Sequence, residues 1–316
     1  LDLVKSALVN ELYVELEAQL LMSVLCSAQN VVLDLPDFRA VRTDRDLLDQ
    51  LRAAKQGGET ILLETPGRGS ARLVDGNLRN FTEFSYTLVG RKRLDHLQRC
   101  VEDALDNDVP GHFLEAGVWR GGCCILMRAV LAARDVRDRR VWLADSFAGL
   151  PLPERAEDRE YAMDASRLPV LAVTEQEVRQ NFARFDLLDE QLRFLPGWFD
   201  QTLPASNTGP LALLRVDCDL YASTRTVLES LYARVSPGGW VVIDDYGILP
   251  PCKQAVDEFR ARSGIGRPLE RIDDHADTAD ELFYPRPHCL PCLGDPLEPV
   301  LAIFSYRLGI DDLRVD

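Results

Sequence analysis

From His112 onward the chain alternates short apolar runs with segments long enough to be helices, and few folds accommodate that pattern. His112–Ala116, Val141–Ala144, Leu192–Leu195, Leu211–Val216 and Trp240–Ile243 read as compact strands. Strands separated by helix-length stretches predict a mostly parallel sheet covered on both faces, an α/β doubly wound architecture. The late run Val300–Tyr306 predicts an antiparallel edge strand. This division places the core at residues 106–273 and a C-terminal tail carrying the edge strand at 274–316.

Ahead of the core, Arg93–Leu105 sets Leu94, Leu97, Val101, Ala104 and Leu105 on one stripe at helical spacing, which predicts a docking helix. Residues 1–30 also read as helical, through Leu3, Val4, Leu8, Leu12, Val14, Leu16, Leu20 and Leu21. Between residues 31 and 75 the pattern changes to strand-like runs at Val31–Leu33, Ile61–Leu63 and Arg72–Val74, with a helical piece near 46–55. Residues 1–105 are therefore expected to be an N-terminal helical and accessory segment, serving as a cap or an interface.

Charge and composition exclude several functions. Among 316 residues, 36 Lys and Arg face 51 Asp and Glu, a formal net charge of −15. A backbone-binding surface for nucleic acid must be basic, so nucleic acid is not an expected partner. No run approaches the ~20 apolar residues of a membrane helix, and the first residues lack the basic start of a secretory signal, so no membrane and a cytoplasmic location are expected. A start on Leu1 rather than Met is what a trimmed chain or a segment of a longer polypeptide would show. The 8 cysteines are scattered through a long chain and read as buried thiols. His288-Cys289-Leu290-Pro291-Cys292 is half of a zinc or redox motif, without a second half.

The chemistry concentrates at strand ends. The first core strand runs into Glu115-Ala116-Gly117-Val118-Trp119-Arg120-Gly121-Gly122, a glycine turn that lets a ligand approach the backbone and the following helix N-terminus. The G-x-G-x-x-G of a dinucleotide site is absent, and the acidic E-x-G form suits S-adenosylmethionine, whose amino group and sulfonium are cationic. The second strand ends in Asp145, where an acid typically accepts hydrogen bonds from a ribose diol. Two further strands end in paired acids, Asp217 and Asp219 on one, Asp244 and Asp245 on the other. Ligands of open α/β sheets bind beyond these carboxyl ends. Four carboxylates together repel one another, and a hard cation such as Mg²⁺ removes that penalty. On an extended strand Asp217 and Asp219 would share a side, one for metal and one for a substrate proton. Asp244 and Asp245 would need the chain to turn, which the nearby Gly247 permits. His96, His112 and His275 are alternative bases, with His96 and His112 expected to be structural.

Taken together, Gly90-Arg91-Lys92-Arg93-Leu94-Asp95, the Glu115–Gly122 turn, Ala144-Asp145-Ser146-Phe147, Gly197-Trp198-Phe199, Asp217-Cys218-Asp219 and Asp244-Asp245-Tyr246 resemble the macrocin O-methyltransferase family over roughly residues 80–273. The first thirteen residues also resemble that family's N-terminal helix. The resemblance implies a class I methyltransferase fold, S-adenosylmethionine as methyl donor, and Mg²⁺ held by Asp217, Asp244 and Asp245. It implies Asp219 as general base, cofactor contacts at Glu115, Gly117, Asp145, Ser146 and Trp198, and a homo-oligomer. The expected acceptor is a sugar or diol-like hydroxyl of a small natural product. The stretch 15–75 and the tail after Asp273 depart from the family pattern. Three alternatives remain: methylation of a carrier-bound polyketide intermediate, a noncatalytic cofactor-fold module, and a nicotinamide oxidoreductase.

Overall fold

Asp2–Leu8 form a short helix, α1, whose buried Lys5 pairs with Asp95 while Asp2 accepts a 2.8 Å bond from Arg91. The computed structural model describes residues 1–8, 61–65, 69–74, 77–80, 85–161, 163–272 and 304–307. They fall in two units, Leu1–Asp95 and His96–Asp316. In the first, β1 (Ile61–Thr65), β2 (Gly69–Val74) and β3 (Asn77–Asn80) form an antiparallel meander, pairing Ile61 with Leu73 and Leu73 with Leu78. The runs at Ile61 and Arg72 were expected as strands. The polar β3 was not, and its cue in the sequence is the hairpin-favouring pair Asp75-Gly76. The expected strand at Val31–Leu33 and helix near 46–55 lie outside the described residues.

The amphipathic stripe becomes α2 (Arg91–Asp106), and a regular alternation follows. The elements are β4 (His112–Ala116), α3 (Gly122–Ala133), β5 (Val141–Asp145), α4 (Ala156–Arg159), α5 (Glu175–Arg184), β6 (Leu192–Pro196), α6 (Phe199–Thr202), β7 (Leu211–Val216), α7 (Tyr221–Leu231), β8 (Val235–Ile243), α8 (Pro250–Arg262), β9 (Glu270–Arg271) and β10 (Phe304–Arg307). All five expected core strands are present. Only β8 begins well before its expected start, because Pro237-Gly238-Gly239 reads as a breaker but is absorbed as an irregularity in the pairing with β7. The signal Thr174-x-x-Glu177 forms a capping box that starts α5, each side chain bonding the other residue's backbone amide.

The sheet order is β6-β5-β4-β7-β8-β10-β9, with β4 to β8 pairing in parallel. The strand expected from Val300–Tyr306 is β10, antiparallel to β8 through Phe304–Ile243 and Arg307–Trp240 pairs. It is not the edge. Its outer hydrogen-bonding row is taken up by β9, which pairs with Phe304 and Ser305 and so lies outermost. After β4 the chain builds outward through β5 and β6, then returns to place β7 on β4's other side. The β4–β7 boundary is the topological switch point, where the carboxyl ends open a crevice.

Burial explains the order. Every residue of β7 is buried, as a strand needs when neighbours flank it and helices cover both faces. Helix α3 is buried continuously from Gly122 to Leu131. Trp240 of β8 donates a 2.8 Å bond to Asp103, and His96 meets the Trp240 ring edge-on at 6.2 Å. Among the described residues Cys100, Cys123, Cys124, Cys218 and Cys252 are buried free thiols, as expected, and Cys289 and Cys292 lie outside them. His112 accepts the Arg140 amide at 3.2 Å in a structural role. Among the described residues no helix is long and apolar enough to cross a membrane.

Burial, reinforced by Arg99, lowers the His96 pKa to about 4. The unfolded chain takes up this proton near the ordinary value of about 6.5, so acidification from about pH 6.5 to 4 favours unfolding. His96→Gln, neutral throughout, should gain up to roughly 3 kcal/mol relative to the parent between pH 7 and pH 4. Urea unfolding at both pH values measures this, and a pH-independent difference would contradict a buried neutral imidazole.

Candidate active site

Four strands deliver their carboxyl ends to the switch point, and the first of them brings the glycine turn. Gly117 has φ +86°, and a Cβ there would lie 1.6 Å from the Asp217 carbonyl oxygen. The Gly117 amide donates to Ala144 and the Asp217 amide to Ala116, both at 2.9 Å. Glycine is therefore required where the turn after β4 and the acid-bearing turn after β7 pack backbone to backbone. Trp119 and Gly121 also have positive φ, and no side chain caps the start of α3.

Asp145 ends β5 beside this turn. Its carboxylate accepts the Val118 amide at 2.7 Å and the Phe147 amide at 2.8 Å. Burial raises its pKa and those two amides oppose the rise. Ser146 turns back on its own loop, donating to the Gly149 carbonyl at 2.7 Å. Trp198 is half-exposed at the start of α6, next to Gly197, whose amide donates to the Asp145 carbonyl at 2.9 Å.

The acids of β7 and β8 do converge. Asp217, Asp244 and Asp245 each offer a carboxylate oxygen, all within 4.8 Å of one another. The route differs from the expected one. Since β7 ends at Val216, Asp217 and Asp219 lie beyond the strand, and alternation of strand faces does not govern them. Asp219 adopts φ +58° and its amide donates to Asp245 Oδ2 at 3.0 Å, so the turn aims it. Likewise β8 ends at Ile243, and the chain turns at once, with the Ile248 and Leu249 amides bonding the Asp245 carbonyl at 2.9 and 2.8 Å. That turn brings both Asp244 and Asp245 to one point.

The residue that sequence reasoning passed over is Arg215. It is buried on β7 directly opposite Glu115 of β4, and its guanidinium pairs with Glu115, Asp217 and Asp244, the Asp217 contact being 2.5 Å. A lone arginine inside the apolar run Leu211–Val216 was its signal, because a buried charge without partners is prohibitively costly. Glu115 spends its carboxylate inward, on Arg215 and on a 2.8 Å bond from the Cys124 thiol. Its contribution to the crevice runs through this network and the shape of the turn.

Electrostatically, one guanidinium sits among five acids: Glu115, Asp217, Asp219, Asp244 and Asp245. Burial works against the Arg215 charge, and Asp217 and Asp244 outweigh it, holding its pKa well above the ordinary value. Burial pushes up the Asp217 and Asp245 carboxyls, with neighbouring acids adding to the rise. Asp219 is pushed up to about 7 by burial and then by Asp244 and Asp145. Three hard oxygen donors at one point, short of positive charge, fit a divalent cation of the Mg²⁺ type.

Comparison with known proteins shows what the chain as a whole is similar to. The family described as macrocin-O-methyltransferase (TylF) matches residues 1–278. Demethyldecarbamoylnovobiocin O-methyltransferase of Streptomyces niveus is 54% identical over 198 residues, covering 62% of this chain and 75% of that protein. Mycinamicin III 3''-O-methyltransferase of Micromonospora griseorubida is 48% identical over 204 residues, covering 61% and 78% respectively. The solved structure of the O-methyltransferase NovP superposes with a TM-score of 0.62 at 46% identity, covering 72% of this chain and 84% of that one.

The Arg215 network generates a direct test. Arg215→Met leaves three acids facing one another without their cation and should cost about 3–5 kcal/mol in metal-free urea unfolding. Arg215→Lys should recover part of this, since an ammonium cannot fork between carboxylates. A methionine variant within 1 kcal/mol of the parent would show that the network does not support the fold.

Proposed function

The chain belongs to the macrocin O-methyltransferase family and is an S-adenosylmethionine-dependent O-methyltransferase of class I fold, and on that premise we propose that it methylates a sugar hydroxyl of a glycosylated natural product at a Mg²⁺-assisted site. The observation that carries the metal reading is the convergence of Asp217, Asp244 and Asp245 within 4.8 Å. The acceptor reading is supported by the relatives, whose names specify O-methylation of demethyldecarbamoylnovobiocin and of mycinamicin III at its 3'' position. A vicinal diol can meet one ion through two oxygens, which suits sugars.

The glycine turn from Gly117 to Gly121 and the start of α3 receive the methionine end of the donor, and Asp145 at the end of β5 receives its ribose. Ser146 shapes the loop that follows Asp145, and Trp198 offers an apolar wall near it. S-adenosylmethionine supplies an electrophilic methyl carbon on a sulfonium. Asp217, Asp244 and Asp245 would hold the divalent ion, which supplies Lewis acidity toward the acceptor hydroxyl. Asp219 accepts the hydroxyl proton. Burial of its carboxyl raises its affinity for that proton. The rigid packing of Gly117 against Asp217 fixes donor turn and acid turn relative to each other, so that oxygen, carbon and sulfur are brought into line by positioning.

The acidic crevice also discriminates between the two forms of the cofactor. Methyl transfer converts a cationic sulfonium into a neutral thioether, and a site rich in carboxylates binds the former better, which favours release of the product. The N-terminal residues 1–105 are proposed as the cap or oligomer interface of the enzyme, and residues 106–273 as its catalytic core.

Two measurements test this reading. Asp217→Ala should abolish Mg²⁺-dependent turnover and weaken Mn²⁺ binding, followed by electron paramagnetic resonance, by at least about tenfold. Full activity of chelator-treated parent enzyme would exclude the metal mechanism. Asp219→Asn should lower methyl transfer by about 10²–10⁴-fold with S-adenosylmethionine affinity nearly unchanged by calorimetry. The acceptor panel should contain the substrates of the named relatives together with simple vicinal diols, with labelled methyl donor.

A further inference from the structure

We propose that Asp158 is a positioning residue for the turn that carries Asp219. This rests on Asp219 being the base. Helix α7 begins two residues after Asp219, and its N-cap is Leu220, which has no side-chain acceptor for the open amides of the first turn. Asp158 supplies both acceptors from far away in sequence, taking the Tyr221 amide on Oδ1 at 2.6 Å and the Ala222 amide on Oδ2 at 3.1 Å. It is 1% exposed, so the carboxylate is committed to the helix end and shielded from water. A negative charge at that end also complements the helix dipole.

The link from this cap to Asp219 is short. Asp219 adopts a left-handed conformation, its own amide is held by Asp245, and the next amide, of Leu220, folds back on the Cys218 carbonyl at 2.6 Å. Two anchors therefore bracket the base, Asp245 on its amide and Asp158 on the amides two and three residues later. A left-handed aspartate has no regular structure of its own to keep it in place, and the brackets take over that task.

Asp158 itself rides on α4, inside the connection from β5 to α5. Near its far end the same connection is tied to the glycine turn, where the Trp119 indole donates to the Val170 carbonyl at 2.8 Å. The connection thus runs from the donor-binding turn of β4 to the base-bearing turn after β7. By this geometry the placement of Asp219 depends on the seating of that connection, with Asp158 as its pin.

The experiment compares the full chain with its Asp158→Ala and Asp158→Asn variants, each with S-adenosylhomocysteine and Mg²⁺. Hydrogen exchange of peptides covering 217–222 should rise at least tenfold in D158A, and trypsin should cut at the exposed Arg155 and Arg159 at least tenfold faster. Peptides from β4, β5 and β7 should keep parent exchange, and D158N, which keeps one of the two acceptor oxygens, should recover part of the protection and fall between the parent and D158A. Unchanged exchange at 217–222 in D158A overturns the proposal. So does an equal rise across the whole sheet, or failure of D158N to rescue. S-adenosylhomocysteine affinity of the parent, measured alongside, tests the methyltransferase reading separately, because its loss would leave the exchange comparison intact.

Discussion

A single guanidinium inside the sheet holds the active end of this molecule together. Arg215 reaches Glu115 across one strand boundary and Asp244 across the other, while also gripping Asp217 on its own chain. An isolated charge at that depth would be too costly to bury, and so would the acids without it. Each makes the other tolerable, and together they tie the carboxyl ends of β4, β7 and β8 into one unit. The arrangement leaves the acids in excess of their internal cation. That surplus of negative charge suits the divalent ion proposed for this site and a cationic methyl donor.

The overall charge of −15 says nothing of this, because solvated surface acids dominate it. The meaningful balance is local, where burial removes the screening that water provides elsewhere. Gly117 adds the geometric half of the same design. Its missing side chain admits the Asp217 carbonyl, so the donor turn and the acid turn cannot drift apart without breaking backbone contacts.

Much of this was legible in the sequence because periodicity reports burial directly. The five parallel strands follow from runs such as Leu211–Val216, and the convergence of Asp217, Asp244 and Asp245 follows from acids placed at strand ends near a topological switch. What the sequence concealed depends on contacts between distant residues. Arg215 meets Glu115 a hundred positions earlier, and only strand register reveals that pairing. The side on which Asp219 sits was not readable, since strand alternation stops at Val216 and a left-handed residue follows. Asp158 looked like one acid among several in a charged stretch, yet it caps a helix from outside that helix. Strands β3 and β9 escaped notice because one leucine among three polar residues, or two charged residues alone, carry no hydrophobic period. The expectation of an outermost final strand failed for the same reason, as β9 was invisible.

The position of β10 has a consequence for the order in which the protein is made. β8, which leads into Asp244 and Asp245, receives its outer neighbour from residues that emerge from the ribosome about 60 positions later. Until Phe304–Arg307 arrive, the outer row of β8 backbone groups has no strand beside it, and the nascent chain carries an open, apolar edge. Completion of the sheet is thus a late, long-range closure rather than a local step, slow by its topology and exposed to mispairing while it waits.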